Sequence, residues 1–292
     1  VDCSDHEVNI KILLGLVVAD GEMTEKQRNK LLAEMTDEVG LLVLQDNYYQ
    51  TQALSVAGRG SAALLDGEAR QIRWLERAGR LNRALEFLPG DEEIAERKAA
   101  SEGLTSPERA VLLAYSKMWL YDELVASDVP EDTLVAGLLV DYFPVPLRQR
   151  YGEAMHRHPL RREILATHLT NLLVNRIGAT FVHRMMEETD ARPADIVRAC
   201  LIARDVFGLT ALWQDIDALD NRVPDAEQAR MFAPSASCWS GPASGLSATC
   251  AAAAAPMPAS RGSRRRPNGL PLSCPQCCRS PTLRRWRNAR EP

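Results

Sequence analysis

No apolar run of eighteen or more residues occurs anywhere in the 292-residue chain, which excludes a membrane-spanning helix of ordinary length. The first residues, Val1-Asp2-Cys3-Ser4-Asp5, lack the basic start and apolar core of a secretory signal. They also lack an initiating methionine, so the chain is read as an intracellular piece of a longer protein. Cysteine is scarce in the main body: only Cys3 and Cys200 precede residue 232, a usage that suits a reducing cytoplasm. Apolar residues never alternate with polar ones over the lengths that strands require, which argues against a sheet. Residues 232–292 contain no Val, Ile, Tyr, Lys or Asp.

What is present divides at about residue 231. Overall, 46% hydrophobic and 25% charged residues are ordinary for a globular protein. The formal net charge of −4 conceals a split, because residues 1–231 carry 26 basic and 38 acidic side chains whereas residues 232–292 carry nine arginines against Glu291. An acidic body argues against a general nucleic-acid binder.

The body reads as all-α. Ser4 and Glu7 have capping-box spacing before Ile10, Leu13, Leu14 and Val17, a run that ends at Asp20-Gly21. Thr24 and Gln27 repeat the cap ahead of Leu31 and Leu32. Further helices are predicted over Asp37 to Ala57 and over Gly67 to Leu88, the latter on Ile72, Leu75, Leu81, Leu85 and Leu88 and stopped by Pro89-Gly90. Ser106-Pro107-Glu108 predicts a helix start with Ser106 as cap, carrying Val111, Tyr115, Met118, Trp119 and Leu124. Others are predicted over Glu131 to Tyr142, Leu147 to Met155, Arg161 to Glu188, Ala194 to Phe207 and Thr210 to Leu219, punctuated by prolines 144, 146, 159, 193 and 224. Val223 to Met231 looks like the start of one more.

The last segment obeys other rules. With nine prolines and nine serines and no branched aliphatic side chain of the Val or Ile kind, residues 232–292 read either as a disordered basic tail or as the product of a frameshift in a GC-rich gene. The abruptness of the change favours the frameshift. Cys274, Cys277 and Cys278 contain one Cys-x-x-Cys but no second pair or nearby histidine, so no zinc site is assigned. Arg264-Arg265-Arg266 and Arg284-Arg285-Trp286-Arg287 could meet phosphates, yet nothing is built on them.

In the body, Gly58-Arg59-Gly60-Ser61-Ala62-Ala63 matches the dinucleotide fingerprint by letter. That loop works only between a strand and a helix. Here it follows a helical stretch, and a hinge between helices is the expectation. Glu153, His156 and His158 cluster, but histidines two apart on a helix point to different sides, so a solvated helix terminus is expected rather than a metal site. His168 and His183 read as core or groove histidines, and Leu169, Leu172, Leu173, Ile177 and Phe181 as a packing stripe. The residues alone reveal no reactive constellation.

Several ordered stretches resemble the large NAD-dependent glutamate dehydrogenases of bacteria. The opening Val1 to Ile12 is similar to the segment that closes the dehydrogenase core in that family. Gln50 to Leu54, Glu76 to Arg83, Leu112 to Trp119, Thr170 to Gly178 and Ala203 to Leu209 are similar to its long C-terminal helical region. The resemblance implies residues 1–19 as the end of the catalytic core, 20–231 as the C-terminal helical domain, and nothing for 232–292. It implies an oligomeric enzyme that deaminates L-glutamate to 2-oxoglutarate and ammonia with reduction of NAD. The Gly-rich loop, substrate lysines and acid/base aspartate of that chemistry have no counterpart here, so no catalytic, metal or cofactor residue is assigned and the chain alone is expected to be inactive. Smaller glutamate dehydrogenases carry a Val-x-x-Ser-x-x-Glu segment whose serine holds the substrate's side-chain carboxylate. Val1, Ser4 and Glu7 share its spacing, although Asp5-His6 replaces aromatics, and Ser4 is the one substrate-binding candidate. The helices beyond it are expected to support the core and to carry subunit or regulatory contacts. The rival reading is a self-standing helical interaction module with a basic tail.

Overall fold

The computed structural model describes residues 5–237, and all its regular structure is helical. Thirteen α-helices occur among the described residues: α1 Asp5–Ala19, α2 Glu25–Arg59, α3 Ser61–Arg77, α4 Asp91–Ala99, α5 Ser106–Ala126, α6 Ala136–Tyr142, α7 Val145–Arg148, α8 Gly152–His156, α9 Arg161–Arg176, α10 Phe181–Thr189, α11 Pro193–Val206, α12 Leu209–Asp217 and α13 Asp225–Ser237. A 3-10 turn, Val129–Glu131, precedes α6. The helices belong to two compact units, one formed by residues 5–54, 72–90 and 105–179, the other by residues 55–71, 91–104 and 180–237.

In the first unit α1 buries His6, Asn9, Ile10, Leu13, Leu14 and Val17, the three-four spacing of a single helical face. The helix ends as its sequence predicts, at Asp20-Gly21. The Thr24 cap also forms: the Gln27 side chain accepts the Thr24 N–H (2.9 Å), and the Thr24 hydroxyl accepts the Gln27 N–H (3.3 Å). The helix it opens runs 35 residues to Arg59, through Gly40, and takes in the helix expected over Asp37 to Ala57. The long core of the unit is α5 against α9, with α6 also on α9. Arg162 closes the C-terminal end of α5 by donating to the carbonyls of Val125 (2.8 Å) and Ser127 (2.7 Å), a cation where the helix dipole favours one. Arg161 and Arg162 both reach Glu131 and hold its carboxyl below the usual carboxylate range.

Several helix boundaries differ from the sequence expectation, each for a local reason. The helix predicted to reach Leu88 ends at Arg77, because Gly79 takes a left-handed conformation (φ 69°) and the amides of Gly79 and Arg80 close on Glu76 and Leu75 at 2.9 Å. Leu85, counted as core, is therefore 69% exposed on the turn that follows. The cap of α5 is Thr105 rather than Ser106; Glu108 accepts the Thr105 N–H at 2.6 Å, which sets Pro107 one place further in. The buried stripe of α5 is Leu112, Leu113, Ser116, Trp119, Leu120 and Leu124, so Trp119 and Leu124 lie on it as expected while Met118 is exposed. Arg161 to Glu188 is two helices broken at Gly178.

In the second unit α10, α11, α12 and α13 pack in sequence. Arg70 meets Glu187 (3.0 Å), Lys98 meets Asp66 (2.8 Å), and Arg59 meets Asp225. The helix that the sequence begins at Val223 to Met231 is α13; it continues to Ser237 and buries Met231 and Phe232. The cysteine cluster, the arginine runs and most of the segment read as a tail lie outside the described residues.

Candidate functional site

The polar residues that the fold gathers most tightly lie at the start of α1. Asn9 donates its amide to Asp5 (3.1 Å) and to the Tyr142 hydroxyl (2.9 Å), and that hydroxyl donates to the second Asp5 oxygen at 2.5 Å. The Tyr142 ring lies flat on His6, with centroids 4.2 Å apart and planes within 13°. Phe143, fully buried, stands edge-on to Tyr142 and tilted to His158. The first turn of α1 is thus held by residues at the end of α6 and after α8. Further along, Arg157 meets Asp20 (2.7 Å), Glu38 accepts the Val145 N–H (2.8 Å), and Arg176 donates to Gln52 (2.9 Å) while covering the Tyr49 ring at 3.8 Å.

His158 corrects the sequence expectation of a solvated terminus: it is 3% exposed. The Leu160 amide donates to its Nδ1 (3.1 Å), so Nε2 carries the proton and donates to the Asn9 carbonyl (3.1 Å). The ring is neutral and both nitrogens are used. Burial pushes its pKa below the ordinary 6.5, against a smaller opposing pull from the Asn9 carbonyl. The unfolded chain therefore binds a proton at higher pH than the folded one, and stability falls as pH drops through 6.5 towards the folded value. The thermal midpoint is expected to decline as pH falls from about 7.5 to about 5.5, and His158→Gln should flatten that decline. An equal slope in both proteins would remove His158 from the account.

Ser4 lies outside the described residues; its neighbours Asp5 and His6 belong to the clamped turn. Glu153, His156 and His158 do not converge: His156 is exposed whereas His158 is buried. No group of three or more metal-ligating side chains occurs among the described residues. His183 is buried with Nδ1 3.8 Å from Glu187, and His168 is half-buried on α9. The Gly58 to Ala63 stretch is the hinge expected of it: Gly60 separates α2 from α3, and no strand precedes it among the described residues. That geometry does not fit a dinucleotide's pyrophosphate, which needs a helix N-terminus fed by a strand. An open cleft of 810 Å³ is lined by Glu76, Arg80, Asn82, Arg83, Leu88 and Tyr115 among others. Arg83 is paired with Glu76 (2.6 Å) and Arg80 with Asp122 (2.6 Å). Tyr115 donates to Glu86 at 2.7 Å, and that bond raises the pKa of its hydroxyl. Both arginines of the cleft are already neutralised.

Comparison with known proteins places these helices. The family model for the bacterial NAD-glutamate dehydrogenase catalytic domain matches residues 1–57, and the one for the glutamate dehydrogenase C-terminal region matches residues 101–240. The NAD-specific glutamate dehydrogenase of Halomonas elongata is 52% identical over 232 residues, which cover 80% of this chain and 14% of that protein. The NAD-specific glutamate dehydrogenase of Pseudomonas aeruginosa is 51% identical over 224 residues (77% and 14%), and that of Mycobacterium tuberculosis 43% over 218 residues (75% and 13%). The chain belongs to the bacterial NAD-glutamate dehydrogenase family, and it spans about a seventh of the length of these relatives. The clamp described above therefore joins the catalytic-domain match to the C-terminal match: Asp5, Asn9, Asp20, Glu38, Tyr49 and Gln52 on one side, Tyr142, Val145, Arg157, His158 and Arg176 on the other.

Proposed function

We propose that this chain is the C-terminal part of an NAD-dependent glutamate dehydrogenase, and that its helices hold the last segment of the catalytic core in place. The intact enzyme oxidises L-glutamate to 2-oxoglutarate and ammonia and reduces NAD. Its nucleotide site, lysines and acid/base aspartate come from sequence outside this chain, and no step of the hydride transfer is assigned to a residue here. One observation carries the reading: the segment matched to the catalytic domain is tied, contact by contact, to the segment matched to the C-terminal region. The expected boundary at residue 19 follows the break at Asp20-Gly21, whereas the catalytic-domain match continues through α2 to residue 57. The cysteine usage of residues 1–231 supports a cytoplasmic location, and the long helical region supports a homo-oligomer. No helix among the described residues is long and apolar enough to cross a membrane.

Within this reading Ser4 receives the substrate's distal carboxylate at the start of α1, where the helix dipole favours an anion. The test is a graft of residues 1–237 into the Halomonas elongata relative in place of its matching segment. The graft is expected to oxidise glutamate with NAD, whereas the isolated chain does not. In the graft Ser4→Ala should raise KM for glutamate about 10- to 100-fold, the worth of one hydrogen bond to a charged group, with KM for NAD unchanged. An unchanged glutamate KM would sink the role of Ser4. A graft that neither turns over nor binds glutamate would sink the enzyme reading.

A further inference from the structure

The 35-residue helix α2 has two faces of different character. Its inner face repeats in a four-three pattern through Leu31, Met35, Glu38, Leu42, Tyr49 and Gln52. Leu31 and Met35 are buried, and the contacts of Glu38, Tyr49 and Gln52 with Val145 and Arg176 fall on this face. A second face lies roughly 100° around the helix. Along it Lys30 and Asp37 come first, then Leu41, Leu44 and Tyr48, then Thr51 and Ser55. Leu41 and Leu44 are 66% and 65% exposed, and the Tyr48 ring is also exposed. A face that simply met water would remain as charged as it begins, with Lys30 beside Glu34. Here it turns apolar for two turns and then polar again, an exposed apolar patch with a polar border.

We propose that Leu41, Leu44 and Tyr48 form the surface on which the remainder of the family's catalytic domain docks; this rests on reading the chain as part of the dehydrogenase. The patch lies inside the catalytic-domain match, 1–57, yet the described part of that match is only two helices, α1 and α2. Two helices without a sheet are not a dinucleotide-binding domain. With the chain spanning 14% of its relatives, the rest of that domain belongs to the length it does not include. A second copy of this chain is a poorer occupant, since three side chains offer far less than the roughly 800 Å² per partner of a stable dimer.

Thiol labelling tests this. Leu44→Cys and, as a solvated control on the same helix, Glu34→Cys are placed both in the isolated 292-residue chain and in the full-length graft. Maleimide uptake is read peptide by peptide, so the native cysteines do not interfere. In the isolated chain the two positions should react at similar rates. In the graft position 44 should react at least tenfold more slowly than position 34. Equal rates in the graft overturn the proposal. So does slow labelling at position 44 in the isolated chain: if it deepens with concentration the occupant is a second copy, and if it does not the occupant is this chain itself. Glutamate oxidation by the graft with an unaltered patch is scored separately. An active graft with unprotected position 44 defeats the docking surface alone, and an inactive graft with position 44 protected defeats the enzyme reading alone.

Discussion

Phe143→Ala is expected to destabilise the chain by about 3–5 kcal/mol, the cost of deleting a fully buried aromatic ring and leaving its cavity. The ring is 0% exposed. It stands between Tyr142, whose centroid is 5.1 Å away, and His158 at 5.9 Å. Those two residues make the hydrogen bonds to α1, so the cavity opens directly beneath the clamp. Urea unfolding followed by circular dichroism would show the loss as a lower midpoint. A loss below about 1 kcal/mol would mean that the site collapses around the smaller side chain and that Phe143 does not organise its neighbours.

The second expectation concerns a single hydroxyl. Tyr142→Phe keeps the ring stacked on His6 and removes only the oxygen that donates to Asp5 and accepts from Asn9. Asn9 retains Asp5 as an acceptor at 3.1 Å, but the carboxylate loses its shortest bond. Leaving such groups under-satisfied in a largely buried setting costs about 1–3 kcal/mol. Because Ser4 immediately precedes this turn, the cost should surface in the full-length graft as a rise of about tenfold in KM for glutamate, equivalent to about 1.4 kcal/mol. KM for NAD should be unaffected. Equal changes in both constants would indicate general loosening rather than a positioning role for Tyr142.

The helices are legible in the sequence because their signals are local. The Thr24-Gln27 cap and the Asp20-Gly21 stop each act within one turn and stand where the residues place them, and the start at Pro107 is displaced by only one residue, its cap being Thr105. Sequence and structure part where a local signal competes with a longer pattern. Apolar spacing carries a helix on paper across Gly79 to Leu88, but a left-handed glycine ends it first. Conversely, the sequence reads a capped start at Thr24 and a separate helix over Asp37 to Ala57, where α2 is continuous with Gly40 inside it. One interior glycine costs about 1 kcal/mol relative to alanine, and the buried and bonded inner face offsets that. The clamp is not legible at all. Asn9 is 133 residues from Tyr142 and 149 from His158, so no spacing or periodicity could join them. His158 beside Pro159 looks like an exposed terminus for the same reason: its partner, a backbone carbonyl on α1, leaves no mark in composition. The family resemblance is legible because it rests on ordered strings of residues, which the matches over 1–57 and 101–240 bear out.

The central claim is that the C-terminal helices hold the final segment of the catalytic core, and amide hydrogen exchange on the full chain tests it most directly. In the Tyr142→Phe protein, amides of α1 (Asp5–Ala19) should exchange at least about fivefold faster than in the wild type, as a loss of about 1 kcal/mol or more implies. The amides of α5 and α9 should stay as slow as before. Unchanged exchange in α1 would contradict the claim, since the helix would then be held by something other than the clamp.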